Sequence, residues 1–183
     1  MSITSDEILV VKALENNSNA FEQLIKRYQD KVFHTCLGFV NNEDDANDLT
    51  QEVFIKVYKN LSNFQRKSKF STWLYRITIN TAINQVRKSK IKHLFIQVDS
   101  EEVSSLISSS EKSDEQLINK EEQQRINQIL NKLPTNQRKA FVLSQYQELS
   151  NKEISEIMEI SVKAVESLIF RARTNLKEII FKE

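Results

Sequence analysis

The chain has 183 residues, room for one domain or two small ones, and its 26 Lys and Arg against 25 Asp and Glu leave a net charge of +1. One Gly excludes a glycine-rich phosphate loop and a Gly-x-Ser-x-Gly nucleophile turn, and one Cys excludes a disulfide framework or a cysteine-based metal site. With no apolar run of membrane length and no basic leader ahead of an apolar stretch, a cytoplasmic protein is expected, with no membrane insertion, no metal and no cofactor.

Apolar residues recur at helical rather than alternating spacing, so an all-α fold is expected. Ser5 opens a first helix toward Glu15, with Ile8, Val11 and Leu14 inward. Ser18 caps a longer one carrying Phe21, Leu24, Tyr28, Val32, Cys36 and Val40. A third runs from about Asp44 to Asn60 and buries Ala46, Leu49, Val53, Phe54 and Val57. After the basic loop Ser62 to Phe70, Ser71 opens a fourth helix that holds Leu74, Ile77, Ala82, Ile83 and Val86. Residues 94–113 are rich in Ser, Asp and Glu and read as a flexible linker. Helix resumes near Ser113 and ends at Pro134, because the residue before a proline is pushed out of helical geometry. Thr135 is placed to cap the next helix. The domains expected are therefore 1–93, the linker 94–113, and 114–183.

The segment "LSNKEISEIMEISVKAVESLIFRAR" (Leu149–Arg173) holds two short helical patterns. Ser150 with Glu153 forms a capping box, and Ser161 caps the second pattern, leaving Glu159 and Ile160 as the hinge. So tight a connection makes the helices cross steeply, as in a helix-turn-helix whose second helix enters a major groove. Periodicity alone equally allows a helical hairpin in a bundle core. The outward positions decide the weight: Lys163, Arg171 and Arg173 suit phosphates, Ser167 a base edge or a phosphate, and Glu166 cytosine N4. Phe170 fits either a thymine methyl or the rim of the small core.

Net neutrality conceals opposed patches. Phe64 to His93 contains eight basic residues and no acid, whereas Asn41 to Glu52 contains five acids and no base. The basic segment interleaves Arg66, Lys67 and Lys69 with Phe64, Phe70, Trp73 and Tyr75, a mixture suited to unpaired DNA. The same aromatics could instead anchor the fourth helix to the core. Along that helix Arg76, Asn80, Asn84 and Arg87 form a polar stripe opposite Leu74, Ile77 and Ile83, and Asn can read base edges. The acids of 43–52 lack the alternating carboxylates and central Gly of a calcium loop, and no assembled catalytic chemistry is evident.

Three stretches, "DDANDLTQEVFIKVYKNLSNF", "FSTWLYRITINTAINQVRK" and "LPTNQRKAFVLSQYQELSNKEISEIMEISVKAVESLIFRARTNLK", resemble regions 2 and 4 of the sigma-70 family, and more narrowly its extracytoplasmic-function (ECF) group. The resemblance implies a non-enzymatic RNA polymerase sigma factor that recruits core enzyme to promoters. It implies that Asp48, Gln51, Glu52 and Phe54 meet the clamp helices of the largest polymerase subunit, while region 4 meets the flap of the second-largest. Arg66, Lys67, Lys69, Phe70, Ser71, Trp73, Arg76, Asn80, Asn84 and Arg87 fall on the segments that open and read the minus-10 element. Lys163, Glu166, Ser167, Phe170, Arg171 and Arg173 fall on the face that reads the minus-35 element. An anti-sigma factor is the further implied partner. Two departures stand out: Glu159 occupies a turn position often held by Gly, and Glu166 stands where many relatives carry a base. The rival reading is a dimeric helix-turn-helix regulator acting without polymerase, which leaves the acid-rich third helix and the Trp-bearing basic segment without a task.

Overall fold

The computed structural model describes residues 4–40, 42–99 and 124–182. Its helices are α1 (Asp6–Leu14), α2 (Ser18–Leu37), α3 (Glu43–Asn60), α4 (Phe70–Asp99), α5 (residues 124–131), α6 (Thr135–Tyr146), α7 (Asn151–Met158) and α8 (Val162–Lys182). A 3-10 turn, Leu61–Asn63, follows α3, and no strand occurs among the described residues. The all-α expectation holds.

Local chemistry sets most of the helix starts. Ser5 caps α1 through the Ile8 amide, Asn42 caps α3 through the Asp45 amide, and Ser161 caps α8 through the Ala164 amide. At α2 the cap is Asn17 rather than Ser18, with its carbonyl oxygen accepting from the Ala20 amide. Thr135 is likewise the first residue of α6, behind Pro134, and provides no cap. Helix α4 begins at Phe70 and continues to Asp99, beyond residue 93 where the linker was expected to start. Ile91, Leu94, Phe95 and Val98 extend the helical spacing through that stretch. The rest of the expected linker, 100–113, and the expected restart near Ser113 lie outside the described residues.

Helix α1 shows how tertiary contacts choose a face. Leu9, Val10 and Ala13 are buried, whereas Ile8 and Leu14, expected inward, are 49% and 40% exposed. Its sequence is apolar almost all round, so periodicity cannot orient it. The Asp6 carboxylate settles the rotation by accepting from the Arg27 guanidinium and the Tyr28 hydroxyl of α2. Positions 9, 10 and 13 then follow on the same side of the helix.

Around Val32, Cys36, Val53, Val57 and Leu74 the core of α1–α4 closes to nearly zero exposure. Burial pushes the Cys36 thiol up to about 12, so it serves as an apolar filler. An aromatic cluster seals the base of α4: Phe70 meets Tyr28, Phe64 and Trp73 at 5.7, 5.9 and 5.9 Å between ring centroids.

The two halves are docked on each other. The main apolar cluster runs without a break from α1–α4 into Ala140, Val142, Leu143, Ile154, Ile157, Val165 and Ile169. A smaller cluster, Leu130, Leu133 and Ala172, completes the second half. Polar groups cross the same boundary: Tyr75 Oη donates to Gln147 Oε1 at 2.9 Å, Gln147 Nε2 donates to the Lys31 carbonyl at 2.8 Å, and Arg138 Nε donates to the Gly38 carbonyl at 2.9 Å. Sequence reading treated the halves as tethered modules and did not foresee this contact.

Candidate nucleic-acid interface

The outer face of α3 presents Asp48 and Gln51 to solvent, while Glu52 is half-buried and paired with Lys56 at 2.6 Å, one turn on. Phe54, grouped with them on the sequence, points into the core at 8% exposure and has no ring face to give a partner. Its place on the surface is taken by Ile55 and Tyr58, 53% and 60% exposed. Residues 48, 51, 55 and 58 are spaced by three or four and share one stripe. Sequence reading missed those two, although a large apolar residue one turn beyond Gln51 was the available signal.

The basic loop and α4 form a second surface. Arg66 takes the left-handed conformation (φ 54°), which turns the chain sharply between the buried rings of Phe64 and Phe70. Arg66, Lys67 and Lys69 are exposed as expected, and Ser71 is half-buried. Phe70, at 1% exposure, is a core residue, as is Tyr75 at 2%. Trp73 is both packed and accessible. One part of the indole leans on Phe64 (5.2 Å) and Phe70, and the rest lines an open cavity of about 380 Å³. Lys56, Asn63, Ile77, Asn80 and Asn84 share that cavity. Lys56 Nζ donates to Thr81 Oγ1 at 3.3 Å, which holds a cation at its rim. The pocket thus combines one π-face, the four amides of Asn60, Asn63, Asn80 and Asn84, and the Lys56 ammonium that Glu52 also pairs, a set that can stack and hydrogen-bond an unstacked base. Asn80, Asn84 and Arg87 are exposed, but Arg76 is not free. It pairs with Glu159 at 2.9 Å and donates to the Glu156 carbonyl, both in the second half.

The third surface is the helix-turn-helix. Ser150 Oγ accepts from the Glu153 amide at 3.3 Å, and Glu153 Oε2 accepts from the Ser150 amide at 3.1 Å, closing the capping box. These bonds hold the Glu153 carboxyl below its ordinary range. Glu159 makes the turn in the left-handed conformation at φ 57°, ψ 42°, a geometry that disfavours an L-residue by about 1 kcal/mol. Val165, Ile169 and Ala172 of α8 face α6 and α7, leaving Lys163, Glu166, Ser167, Phe170, Arg171 and Arg173 exposed. Phe170 is 72% exposed, so it is no rim of the core. The helix therefore presents three cations, an acid, a hydroxyl and one ring to an incoming groove.

Comparison with known proteins gives this arrangement a class. The sigma-70 region 2 model matches residues 24–91 and the sigma-70 region 4 model matches residues 123–176. The chain is 33% identical to RNA polymerase sigma-H factor of Pseudomonas aeruginosa, covering 92% of this chain and 90% of that one. It is also 33% identical to ECF RNA polymerase sigma factor SigW of Bacillus subtilis, covering 94% and 97% respectively. Among solved structures, CnrH in complex with the cytosolic domain of CnrY aligns with a TM-score of 0.74 at 27% identity, over 98% of this chain and 99% of that one. Helical modules joined in this order, one with an acid-faced helix and an aromatic basic surface, the other a helix-turn-helix, define a transcription initiation factor. The chain belongs to the ECF group of the sigma-70 family of RNA polymerase sigma factors. It binds core RNA polymerase and promoter DNA and directs promoter-specific initiation, and a polymerase-independent dimeric regulator is not favoured.

Proposed function

We propose a division of labour among the three surfaces. Region 2, residues 1–93, docks on the clamp helices of the largest polymerase subunit through Asp48, Gln51 and Glu52, with Ile55 and Tyr58 as the apolar part of the contact. The loop and α4 then capture the opened minus-10 strand. Arg66, Lys67, Lys69 and Arg87 follow its phosphates, and an unpaired base enters the cavity against Trp73, with Asn80 and Asn84 reading its edge. Phe54, Phe70 and Tyr75 act from the core by holding α3 and α4 in place. Region 4, residues 114–183, lays α8 in the major groove of the minus-35 element through Lys163, Glu166, Ser167, Phe170, Arg171 and Arg173, and meets the flap of the second-largest subunit.

The observation that carries this reading is the aromatic and amide-lined cavity beside an exposed cationic loop. A regulator that reads only duplex DNA has no use for such a cavity. The factor catalyses nothing itself and works in the cytoplasm. Among the described residues no group of three or more His, Cys, Asp or Glu could hold a metal ion, and no helix is long and apolar enough to cross a membrane. A protein of the same fold, the sigma factor RpoE from Bartonella quintana, is solved in complex with the anti-sigma factor NepR. An anti-sigma factor covering these surfaces is the corresponding partner here.

Reconstituted transcription tests the scheme. Purified protein with core polymerase should initiate on members of a promoter library. Asp48→Arg should abolish association with core while leaving the helical circular dichroism and unfolding midpoint intact, because the residue is exposed. Unchanged affinity for core would remove the clamp assignment. A footprint on a palindrome without polymerase, together with no initiation on any promoter, would favour the dimeric regulator.

A further inference from the structure

Arg138 of α6 is a buried cation without an acid. It is 4% exposed, and no carboxylate pairs with it among the described residues. Its Nε donates to the Gly38 carbonyl at 2.9 Å, its Nη1 donates to Asn131 Oδ1, and its guanidinium lies over the Phe39 ring at 5.1 Å. Gly38 lets α6 come this close, since a Cβ there would lie 2.8 and 2.9 Å from the two γ-carbons of Val142. The guanidinium is thus fixed by neutral groups alone, and its Nη2 is buried with no hydrogen-bond partner. Burial lowers its pKa to about 10, so it is still a cation at neutral pH, where the neighbouring Tyr146 phenol is uncharged. A charge taken out of water is costly unless an opposite charge meets it. Water could satisfy Nη2 but would leave the charge unbalanced.

The same side chain lines a cavity of about 220 Å³ between α4 and the junction of α5 with α6. A second guanidinium, that of the exposed Arg87, borders this space, and no Asp or Glu lines it among the described residues. The start of α6 adds a third positive element. Thr135, its first residue, lines the cavity, and the preceding Pro134 gives the first-turn amides no side-chain acceptor. Free amides at a helix start favour an anion, and here they stand beside a buried guanidinium with a donor to spare. The remaining walls are apolar, from Ile83, Val86 and Leu133. At this volume the space is smaller than the roughly 300–1,000 Å³ of pockets for drug-sized ligands, so its occupant is small.

We propose that this cavity is a binding site for a small organic anion, its oxyanion head held by Arg138 and Arg87 at the start of α6 and its compact apolar body set against Ile83, Val86 and Leu133. A bare inorganic ion would balance the charge and leave the apolar walls uncovered. A neutral apolar molecule would cover the walls and leave the guanidinium unpaired. Carboxylate and phosphate heads share the required chemistry, because each accepts parallel N–H bonds from a guanidinium. The site has no lining residue in common with the Trp73 cavity. Arg87 is nevertheless one of the cations assigned above to the minus-10 strand, so a bound anion competes with DNA phosphates for it. That consequence rests on the proposed division of labour; the site itself does not.

Calorimetric titration of the full chain at constant ionic strength tests the site. The probes are benzoate and phenyl phosphate, with inorganic phosphate as the head without a body and benzyl alcohol as the body without a charge. At least one aromatic anion should bind once per chain with a Kd below about 1 mM, and about tenfold or more tightly than either control. The tighter of the two identifies the head. Arg138→Met should weaken that binding by about 10- to 100-fold. Because this variant also loses the bond to the Gly38 carbonyl, Arg87→Gln accompanies it, an exposed replacement that should keep the helical circular dichroism and weaken binding by about three- to tenfold. A Kd above about 1 mM for both aromatic anions, a smaller preference over the controls, or full affinity in Arg87→Gln overturns the site. With core polymerase present, filling the site should lower initiation severalfold. Binding that leaves initiation unchanged removes Arg87 from the minus-10 surface while the anion site stands.

Discussion

Phe70 offers the sharpest separation between a residue that touches DNA and one that holds the surface that does. In Phe70→Ala the ring leaves a site walled by Tyr28, Phe64 and Trp73; Phe64 and Trp73 lean on each other and the Tyr28 hydroxyl is tied to Asp6, which limits collapse into the gap. Burying a Phe removes about 150–250 Å² from water, worth about 4–6 kcal/mol at the usual area coefficient and an upper bound. Large-to-small replacements of this kind cost about 3–5 kcal/mol, so about 4 kcal/mol is expected. That is a large share of the 5–15 kcal/mol typical of a folded domain, and at about 2–4 °C per kcal/mol it lowers the melting midpoint by roughly 8–16 °C. The chain carries its own reporter, since Trp73 is its single tryptophan and leans on Phe70. Urea titrations followed by Trp73 emission and by circular dichroism give the loss directly. A loss below about 1 kcal/mol, accompanied by weakened minus-10 binding, would refute the reasoning, because it would place the ring on the surface in contact with DNA.

Two further expectations use the second half. Arg171→Ala, on the exposed side of α8, should weaken minus-35-dependent initiation by about 10- to 100-fold and leave core binding intact in a pull-down; equal loss of both would contradict the placement. Ser150→Ala should destabilise the fold by about 1 kcal/mol, measured by urea titration, and raise the Glu153 midpoint measured by NMR titration. The sign follows from the direction of the shift. Glu153 has a depressed pKa in the folded chain, so its contribution is complete above the ordinary carboxylate range and disappears as pH falls through the lowered value.

Much of the molecule could be read along the chain, because the signals involved are local. The capping box at Ser150 and Glu153, the cap at Ser161 and the hinge at Glu159 depend on residues within three or four positions of each other. Charge segregation between 41–52 and 64–93 is likewise a property of the string, and so is the outward set on α8. Legibility failed where two faces were chemically equivalent or where a partner was remote. The rotation of α1 depends on Asp6 meeting Arg27 and Tyr28, more than twenty residues away. Helical spacing already put Phe54 on the buried side of α3, against the partner contact that the resemblance implied for it, whereas Phe70 stands at the junction of loop and helix, where spacing does not say whether a ring faces DNA or the core.

Helical periodicity, capping residues and opposed charge blocks determined by themselves that this chain folds as helices, ends in a helix-turn-helix and carries a cationic aromatic segment. Only the tertiary structure decided that Trp73 divides itself between core and cavity, that Arg76 is engaged across the molecule, and that Gly38 exists to let Val142 approach. The physical reason is range. Backbone caps and amphipathic stripes act over a few residues, whereas a missing Cβ or a shared guanidinium gains its meaning from an atom about a hundred residues away.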